Sequence, residues 1–214
     1  MSNHRHLQHT TGPSRALYLA SRSPRRLELL RQIGLQPEVV SADVDESALD
    51  GESPGAYVAR LARAKAQAGW KAAHDRPRLP LLAADTAVVI DDQILGKPSG
   101  VETALSMLAL LSGRKHEVLT AIALIAPAGQ GEESSVETQL TCRTEVEMRM
   151  ILPSEALAYW TTGEPEDKAG AYAIQGRGAV LVRSISGSYS NVVGLPLCET
   201  AALLREHGVD AIGP

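Results

Sequence analysis

LYLASRSPRRLELLRQIG, the stretch from Leu17 to Gly34, decides the fold of this chain. Its apolar start is typical of a buried strand, and Ser23-Pro24 then offers an N-cap residue followed by a proline at the first helical position. Leucines and an isoleucine recur after that with the spacing of one helix face, up to Gly34, which ends the helix. The stretch therefore predicts a strand, a turn and a helix, the repeating unit of α/β proteins.

The remainder of the chain continues this alternation, and Ser53-Pro54 opens a second, longer helix. Apolar and alternating patterns predict strands over residues 37–41, 81–90, 93–95, 116–125, 136–150 and 179–186, and helical spacing predicts helices over residues 102–111, 153–162 and 197–207. Because strands and helices are interspersed from end to end, we predict an α/β fold with a mixed sheet. The predicted organisation is a tail over residues 1–15 and one two-lobed domain over residues 16–210.

Composition and charge exclude several classes of protein. With 44% hydrophobic residues among 214, the chain can bury a substantial core, and its net charge of −4 disfavours stable binding to nucleic acid. No apolar run approaches the ~18 residues that a membrane span requires. The amino end, MSNHRHLQHTTGPSR, is polar and lacks the apolar segment of a secretory signal, so we expect a disordered tail and a cytoplasmic protein.

Histidines and cysteines predict neither a metal site nor a disulfide framework. His4, His6 and His9 lie in the polar tail, where nothing organises them into a set of ligands. Cys142 and Cys198 fit neither a CxxC motif nor a zinc spacing. We expect both cysteines to be buried small hydrophobic residues.

The helix start SRSPRR, residues 21–26, predicts an anion site. Free backbone N–H groups and the positive end of the helix dipole lie at such a start, which here includes Ser21 and Ser23. Arg25 and Arg26 oppose the dipole in the first turn unless a bound polyphosphate offsets their charge. The alternative is that both arginines are solvated surface charges.

Carboxylates in two segments indicate a metal site. Asp85 interrupts an otherwise apolar strand, where a charge is costly unless it is paired or binds a metal. The acidic cluster at residues 43–46 ends in Glu46, and together with Asp85 it offers the hard oxygen ligands that Mg²⁺ prefers. The alternatives are a turn-making or salt-bridged Asp85 and a solvated acidic loop.

Two lysines and one glutamine complete the candidate residues. Lys65 lies mid-helix among alanines and Lys97 lies between Gly96 and Pro98, where each is either a contact to phosphate or a surface charge. Gln175 lies in the glycine-rich stretch 167–178, whose small residues allow a ligand to approach the backbone closely. Its amide could read a uracil-type base with two hydrogen bonds, and the alternative is a flexible hairpin.

Six segments in this order resemble the Maf family of nucleoside triphosphate pyrophosphatases, from about Leu17 to His207. No single segment suffices, but six in register are hard to obtain by chance. They are SRSPRR at 21–26, RLARAKA at 60–66, AADT at 83–86, LGKP at 95–98, DKAGAYAIQGRG at 167–178 and VVGLPL at 192–197.

That resemblance implies an elongated, mixed and twisted sheet flanked by helices, with a central cleft similar to that of inosine triphosphate pyrophosphatases, usually in a homodimer. It implies hydrolysis of a nucleoside triphosphate to the monophosphate and pyrophosphate with a divalent cation, Mg²⁺ or Mn²⁺. Asp85 matches the family's catalytic carboxylate. Glu46, Lys65 and Lys97 match positions that handle metal and phosphate, so Asp85 and Glu46 are the implied metal ligands.

Three positions separate branches of the family by substrate. Members that act on 7-methyl-GTP typically have Trp, Gln and Glu where this chain has Arg25, Thr86 and Gln175. The chain resembles the dTTP/UTP branch at all three. A carboxamide both donates and accepts, as thymine and uracil require, whereas a carboxylate only accepts. We therefore expect hydrolysis of dTTP and UTP, with modified pyrimidine triphosphates as a wider, house-cleaning alternative.

The predicted mechanism places a cation between carboxylates and triphosphate while Asp85 activates water. The predicted catalytic residues are Asp85, Glu46, Lys65 and Lys97, and the predicted substrate-binding residues are Ser21, Ser23, Arg25, Arg26, Thr86 and Gln175. Among them, Arg25, Arg26, Lys65 and Lys97 would neutralise the departing pyrophosphate. The alternative function is a nucleotide-binding regulator of cell division or septum formation without turnover. Both require that the arginine-bearing helix start and Asp85 face one groove.

Overall fold

The computed structural model describes residues 16–128 and 134–212. The predicted disordered tail, with its three histidines, lies outside these described residues. Within them no helix is long or apolar enough to cross a membrane.

Within the described ranges the chain forms one seven-stranded sheet and six α-helices. The strands are β1 (Ala16–Ala20), β2 (Gln36–Val39), β3 (Leu81–Ile90), β4 (Gln93–Leu95), β5 (Lys115–Pro127), β6 (Ser135–Met148) and β7 (Val182–Ser186). The helices are α1 (Pro24–Gln32), α2 (Pro54–Ala72), α3 (Val101–Leu111), α4 (Pro153–Trp160), α5 (Tyr189–Val193) and α6 (Leu197–Glu206). The predicted α/β class with a mixed sheet flanked by helices is confirmed.

The sheet has the order β2-β1-β3-β5-β6-β7, and its parallel and antiparallel parts meet at β3. β1 runs parallel to β2 and β3, because α1 and α2 return the chain to the same end of the sheet. The later strands are antiparallel, and β5 pairs with β3 along nearly its whole length. The opposite edge of β3 is shared by β1 at one end and β4 at the other.

Alternation along the strands sends side chains to two covered faces of the sheet. On one face Ala83, Ala87 and Val89 of β3 pack with the alanine-rich side of α2, for example Ala62 and Ala66. On the other face, apolar residues of α1 and α6 pack against β1, β3 and β5. Helices α3 and α4 cover the far end of the sheet around β4 and β6.

Three local expectations need correction. The strand predicted over residues 179–186 is shorter, because Gly176–Leu181 forms 3₁₀ turns and only Val182–Ser186 is extended. The short helix α5 was not predicted. Cys198 is exposed, since α6 buries the face of Thr200, Leu203 and Leu204 and a residue two positions before Thr200 points away from it. Cys142 is only partly buried, and both thiols are free.

Candidate active site

A cleft lies where one edge of β3 has no neighbouring strand. β1 pairs with β3 as far as Ala83 and β4 pairs from Val88 onward, so among the described residues no strand covers the edge at residues 84–87. A cavity of about 500 Å³ lies at this gap. Its volume falls in the range of small-ligand sites.

All ten side chains that the sequence predicts for the site line this one cavity: Ser21, Ser23, Arg25, Arg26, Glu46, Lys65, Asp85, Thr86, Lys97 and Gln175. The arginine-bearing helix start and Asp85 therefore face the same cleft, as the sequence predicts. The role of each side chain toward a ligand stays a prediction.

Lys65 joins the two predicted metal-binding carboxylates. Its Nζ lies 2.7 Å from Asp85 Oδ1 and 2.6 Å from Glu46 Oε1. Asp85 is only 7% exposed and shares the β3 face that α2 covers, which places the middle of α2 over it. Asp85 thus forms a salt bridge, as one of the alternatives for this residue predicted. Asp85 nevertheless lines the cavity, and its Oδ2 has no hydrogen-bond partner in the described part of the chain.

The two carboxylates have pKa values shifted in opposite directions. Burial raises the pKa of Asp85 above its ordinary value, although Lys65 and Arg26 oppose that shift. Burial also acts to raise the pKa of Glu46, but Lys65, Lys97 and Arg26 outweigh it and the pKa falls below its ordinary value. Environments that separate the pKa values of neighbouring acids are typical of acid–base sites.

The two carboxylates fit a divalent cation that takes most of its ligands from water and substrate phosphate. No group of three or more His, Cys, Asp or Glu residues that could hold a metal occurs in the described ranges. Mg²⁺ is commonly bound through one or two carboxylates, with water and substrate phosphate completing its coordination. Asp85 and Glu46, held on one lysine at the cavity, match that arrangement.

Side chains of α2 hold the loop that carries Glu46. Tyr57 Oη donates to the backbone oxygen of Glu46 at 3.0 Å, and Arg60 donates to that of Ser47 at 2.9 Å. Arg60 also forms a two-contact pair with Glu52, at 2.6 and 2.7 Å. One helix therefore positions both Lys65 and the loop of Glu46. Tyr57 and Arg60 were not predicted from the sequence, although Arg60 opens the RLARAKA segment.

Arg26 fastens the start of α1 to β3 and to the segment before α6. Its Nε donates to Gly194 O at 2.8 Å, and its terminal nitrogens donate to Ser21 Oγ at 3.2 Å and Thr86 Oγ1 at 2.9 Å. Thr86 Oγ1 also bonds Thr120 Oγ1 at 2.9 Å. The alternative of a solvated Arg26 is therefore wrong. Thr86, predicted to touch substrate, has its hydroxyl engaged with protein.

The first turn of α1 keeps its backbone donors for another partner. Ser23 is the N-cap residue, but its side chain makes no capping hydrogen bond to the described residues. Ser21 Oγ accepts from the backbone N–H of Ser23 at 3.2 Å, which shapes the turn before the helix. Pro24 has no N–H, so the free donors belong to the residues that follow it. Those donors lie at the cleft, as the predicted anion site requires.

Four further charged residues line the cleft, and they differ in whether an ion-pair partner already holds them. Arg25 pairs with Asp167 at 3.3 Å, and Lys168 contacts the same carboxylate. Lys97 is exposed and makes no ion pair within the described chain. Lys97 is thus free to contact an incoming phosphate, whereas Arg25 must exchange a partner. Asp167 and Lys168 belong to the DKAGAYAIQGRG segment, but the sequence alone did not indicate that they line the site.

Gln175 lines the cleft from the segment before the 3₁₀ turn Gly176–Leu181. Its side chain is half-buried, lines the cavity and has no hydrogen-bond partner among the residues described. Its backbone is extended, and Gly176 directly after it adopts a positive φ of 63°. The segment forms 3₁₀ turns on either side of Gln175 rather than the hairpin of the alternative interpretation.

Comparison with known proteins gives a consistent match. The sequence profile of the family described as Maf-like protein matches residues 16–207. A protein of Saccharophagus degradans named dTTP/UTP pyrophosphatase is 52% identical over 198 residues, which are 92% of this chain and 91% of that protein. One of the same name from Nitrosomonas europaea is 48% identical over 210 residues, 93% of this chain and 98% of that protein. The solved HAM1 protein of Coxiella burnetii aligns with a TM-score of 0.41 and 18% identity over 89% of this chain and 98% of that chain, a similarity too weak to bear on the site.

Proposed function

This chain belongs to the Maf family, and from that premise we propose that it hydrolyses dTTP and UTP to the nucleoside monophosphate and pyrophosphate. The observation that carries the proposal is one cleft that combines the uncapped, arginine-bearing start of α1 with the Asp85–Lys65–Glu46 group. Two relatives with about 50% sequence identity over nearly the whole chain are named for this activity.

The cation of the reaction is held, in this proposal, by Asp85 and Glu46. A bound Mg²⁺ or Mn²⁺ supplies Lewis acidity toward the phosphate oxygens and neutralises their charge. Glu46 suits this task because its lowered pKa keeps it ionised well below neutral pH. The positive charge of Lys65 offsets the electrostatic repulsion between the two carboxylates, and its two ion pairs fix their orientation.

Asp85 acts as the general base. One of its oxygens is fixed by Lys65, and the other has two lone pairs, so it can face the cation with one and accept a proton from a water molecule with the second. Burial raises the pKa of Asp85 and thereby makes it a stronger base than a solvated aspartate.

The cationic groups bind and orient the phosphates. Lys97 has no competing ion pair within the described ranges, and Arg25 needs to exchange only its exposed partner Asp167. The free N–H groups of the first turn of α1 add donors of the kind that cradle phosphates. Arg26 contributes its charge from a fixed place and, with Thr86, maintains the wall of the cleft.

Base recognition is assigned to Gln175. Its unpartnered carboxamide offers one acceptor and two donors toward the cavity, which matches the alternating C=O and N–H groups of thymine and uracil. Thr86 acts in this scheme through Arg26 rather than by touching the base.

The finer expectations from the family belong to the same proposal. They are a single domain over residues 16–210, a homodimer, Mg²⁺ or Mn²⁺ as the cation, a cytoplasmic location and no stable binding to nucleic acid. Light scattering during size exclusion tests the dimer, and loss of turnover on chelation with recovery on adding either metal tests the cation.

Pyrophosphate release from a panel of canonical and modified triphosphates tests the function. We expect turnover of dTTP and UTP above that of purine triphosphates, and Gln175→Glu should reduce this preference because a carboxylate cannot donate. Gln32→Glu, an exposed change at the end of α1, is the matched control. Tight nucleotide binding without pyrophosphate release would contradict the proposal and favour the division regulator. Unchanged selectivity in Gln175→Glu would show that the base is read elsewhere.

A further inference from the structure

Two side chains outside the cleft hold the segment that carries Gln175. Tyr159 comes from α4 and Glu164 from the turn that follows it, and neither lines the cavity. The hydroxyl of Tyr159 accepts from the backbone N–H of Ala173 at 3.1 Å, two residues before Gln175. Glu164 accepts from the backbone N–H of Arg177, two residues after it, at 2.9 Å.

The two side chains act as one unit. Tyr159 Oη donates to Glu164 Oε1 at 2.8 Å, and the same oxygen accepts from Gly178 N at 2.9 Å. Burial acts to raise the pKa of Glu164, but the N–H donors of Gly178 and Arg177 and the Tyr159 hydroxyl outweigh it, and the pKa falls below its ordinary value. The carboxylate therefore stays ionised, and each of its oxygens accepts from a backbone N–H of the segment.

Two glycines allow this close approach. Gly176 has a φ of 63°, and a Cβ placed there would lie 2.5 Å from Glu164 Oε2. A Cβ at Gly178 would lie 2.5 Å from Tyr159 Oη and would collide with the backbone oxygen of Ala173. The turn therefore packs directly on the Tyr159–Glu164 pair, and the backbone on both sides of Gln175 has little freedom to move.

We infer that the Tyr159–Glu164 pair is a positioning device that fixes the direction of Gln175 and thereby sets the selectivity for the base. The inference rests on the proposed function, in which Gln175 reads thymine or uracil. A base reader with two hydrogen bonds needs a fixed direction, because a displacement of about 1 Å is enough to lose both. Tyr159 and Glu164 are thus positioning residues and do not touch the substrate.

Tyr159→Phe removes one hydroxyl and leaves the buried ring in place. The N–H of Ala173 then loses its acceptor and Glu164 loses a donor, so Gln175 should sample other directions. We expect kcat/KM for dTTP to fall about tenfold, mainly through KM, and the preference for dTTP over dGTP to shrink about as much. Tyr189→Phe, which removes the hydroxyl of a half-exposed residue of α5 that does not line the cleft, should change neither value.

A double-mutant cycle with Gln175→Ala separates positioning from general damage to the fold. We expect Tyr159→Phe to reduce the dTTP/dGTP preference when Gln175 is present and to leave it unchanged in the Gln175→Ala background. An equal reduction in both backgrounds, or no reduction in either, would overturn the inference. If Gln175→Ala alone leaves the preference unchanged, the base reader is wrong and the inference falls with it.

Glu164→Gln supplies an independent arm. An amide nitrogen in place of Oε2 would face the N–H of Arg177, donor against donor, without changing side-chain size. It should reproduce the loss of preference while melting curves confirm a folded protein, and an unchanged preference would contradict the inference even if Tyr159→Phe fails to fold. Absence of pyrophosphate release by the wild type would instead overturn the proposed function itself.

Discussion

The chain starts two helices with the same Ser-Pro pair, and the two starts do different things. Ser53 caps α2 in the usual manner, since its side chain accepts from Ala56 N at 3.3 Å. Ser23 makes no such bond to the described residues, and α1 opens onto the cleft with two arginines in its first turn. The residues after the proline, Gly-Ala in one case and Arg-Arg in the other, distinguish a start that stabilises its own helix from one that remains open to an anion.

The position of Asp85 gives this comparison its functional meaning, because the acid faces the cleft at the α1 start. Asp85→Asn keeps the shape but removes both the charge and the base, and we expect turnover of dTTP to fall ~10³-fold or more. Steady-state kinetics check this, with Asp50→Asn as an exposed matched control. If Asp85→Asn turns over dTTP within a few-fold of the wild-type rate, Asp85 does not act on a substrate bound at the α1 start.

Charge at the open start provides the next largest effect. Arg25→Ala removes a cation beside the uncapped turn, and we expect KM for dTTP to rise about tenfold or more while the fold stays intact. Arg31→Ala, on the exposed last turn of the same helix, should leave KM unchanged. If Arg25→Ala and Arg31→Ala change KM for dTTP equally, Arg25 makes no specific contribution to substrate binding.

Acid pH is expected to destabilise the fold through a buried histidine that contacts a residue of the cleft wall. His116 Nε2 lies 2.8 Å from the hydroxyl of Tyr172, which lines the cleft, and burial lowers the pKa of His116 from 6.5 to about 4. The unfolded chain therefore binds this proton at higher pH than the folded chain. Stability from neutral His116 is complete above pH 6.5 and is lost as pH falls toward 4, by on the order of 3 kcal/mol.

Urea unfolding between pH 7 and pH 4 measures this effect. In His116→Gln, which cannot titrate, the fall in the free energy of unfolding should be smaller by that amount. An identical pH profile in the variant and the wild type would show that other groups cause the loss.

The smallest effect separates the two serines directly. Ser53→Ala removes a real cap, so we expect it to lower the free energy of unfolding by about 1 kcal/mol with unchanged kinetics. Ser23→Ala removes no cap and should leave stability unchanged while KM rises slightly. Chemical denaturation and kinetics on both variants test the comparison, and equal stability losses would contradict it.

Much of the fold follows from local signals, whereas contacts within the site depend on distant parts of the chain. The apolar run before Ser23 and the stop at Gly34 predicted β1 and α1 because caps and periodicity act over a few residues. The three bonds of Arg26 could not be predicted, since Gly194 lies 168 positions away. The alternatives for Asp85 also stayed open in the sequence, because only tertiary packing brings Lys65 to it.

Three features of the structure differ from the sequence-based expectations for local reasons. An apolar pattern after Gly178 predicted a strand, but the glycines and the bonds to Glu164 favour 3₁₀ turns there. The composition of the glycine-rich segment suggested flexibility, and only the structure reveals the two side chains that hold it. Cys198 was expected to be buried by residue type, whereas its position on α6 decides its exposure.

The products formed from dTTP test the central claim most directly, namely that the α1 start and the Asp85 group act on one nucleoside triphosphate. Phosphorus NMR of purified protein with dTTP and Mg²⁺ should show dTMP and pyrophosphate accumulating together, and neither should accumulate with Asp85→Asn. Formation of dTDP with inorganic phosphate, or dTTP that persists unchanged with the wild type, would contradict the account.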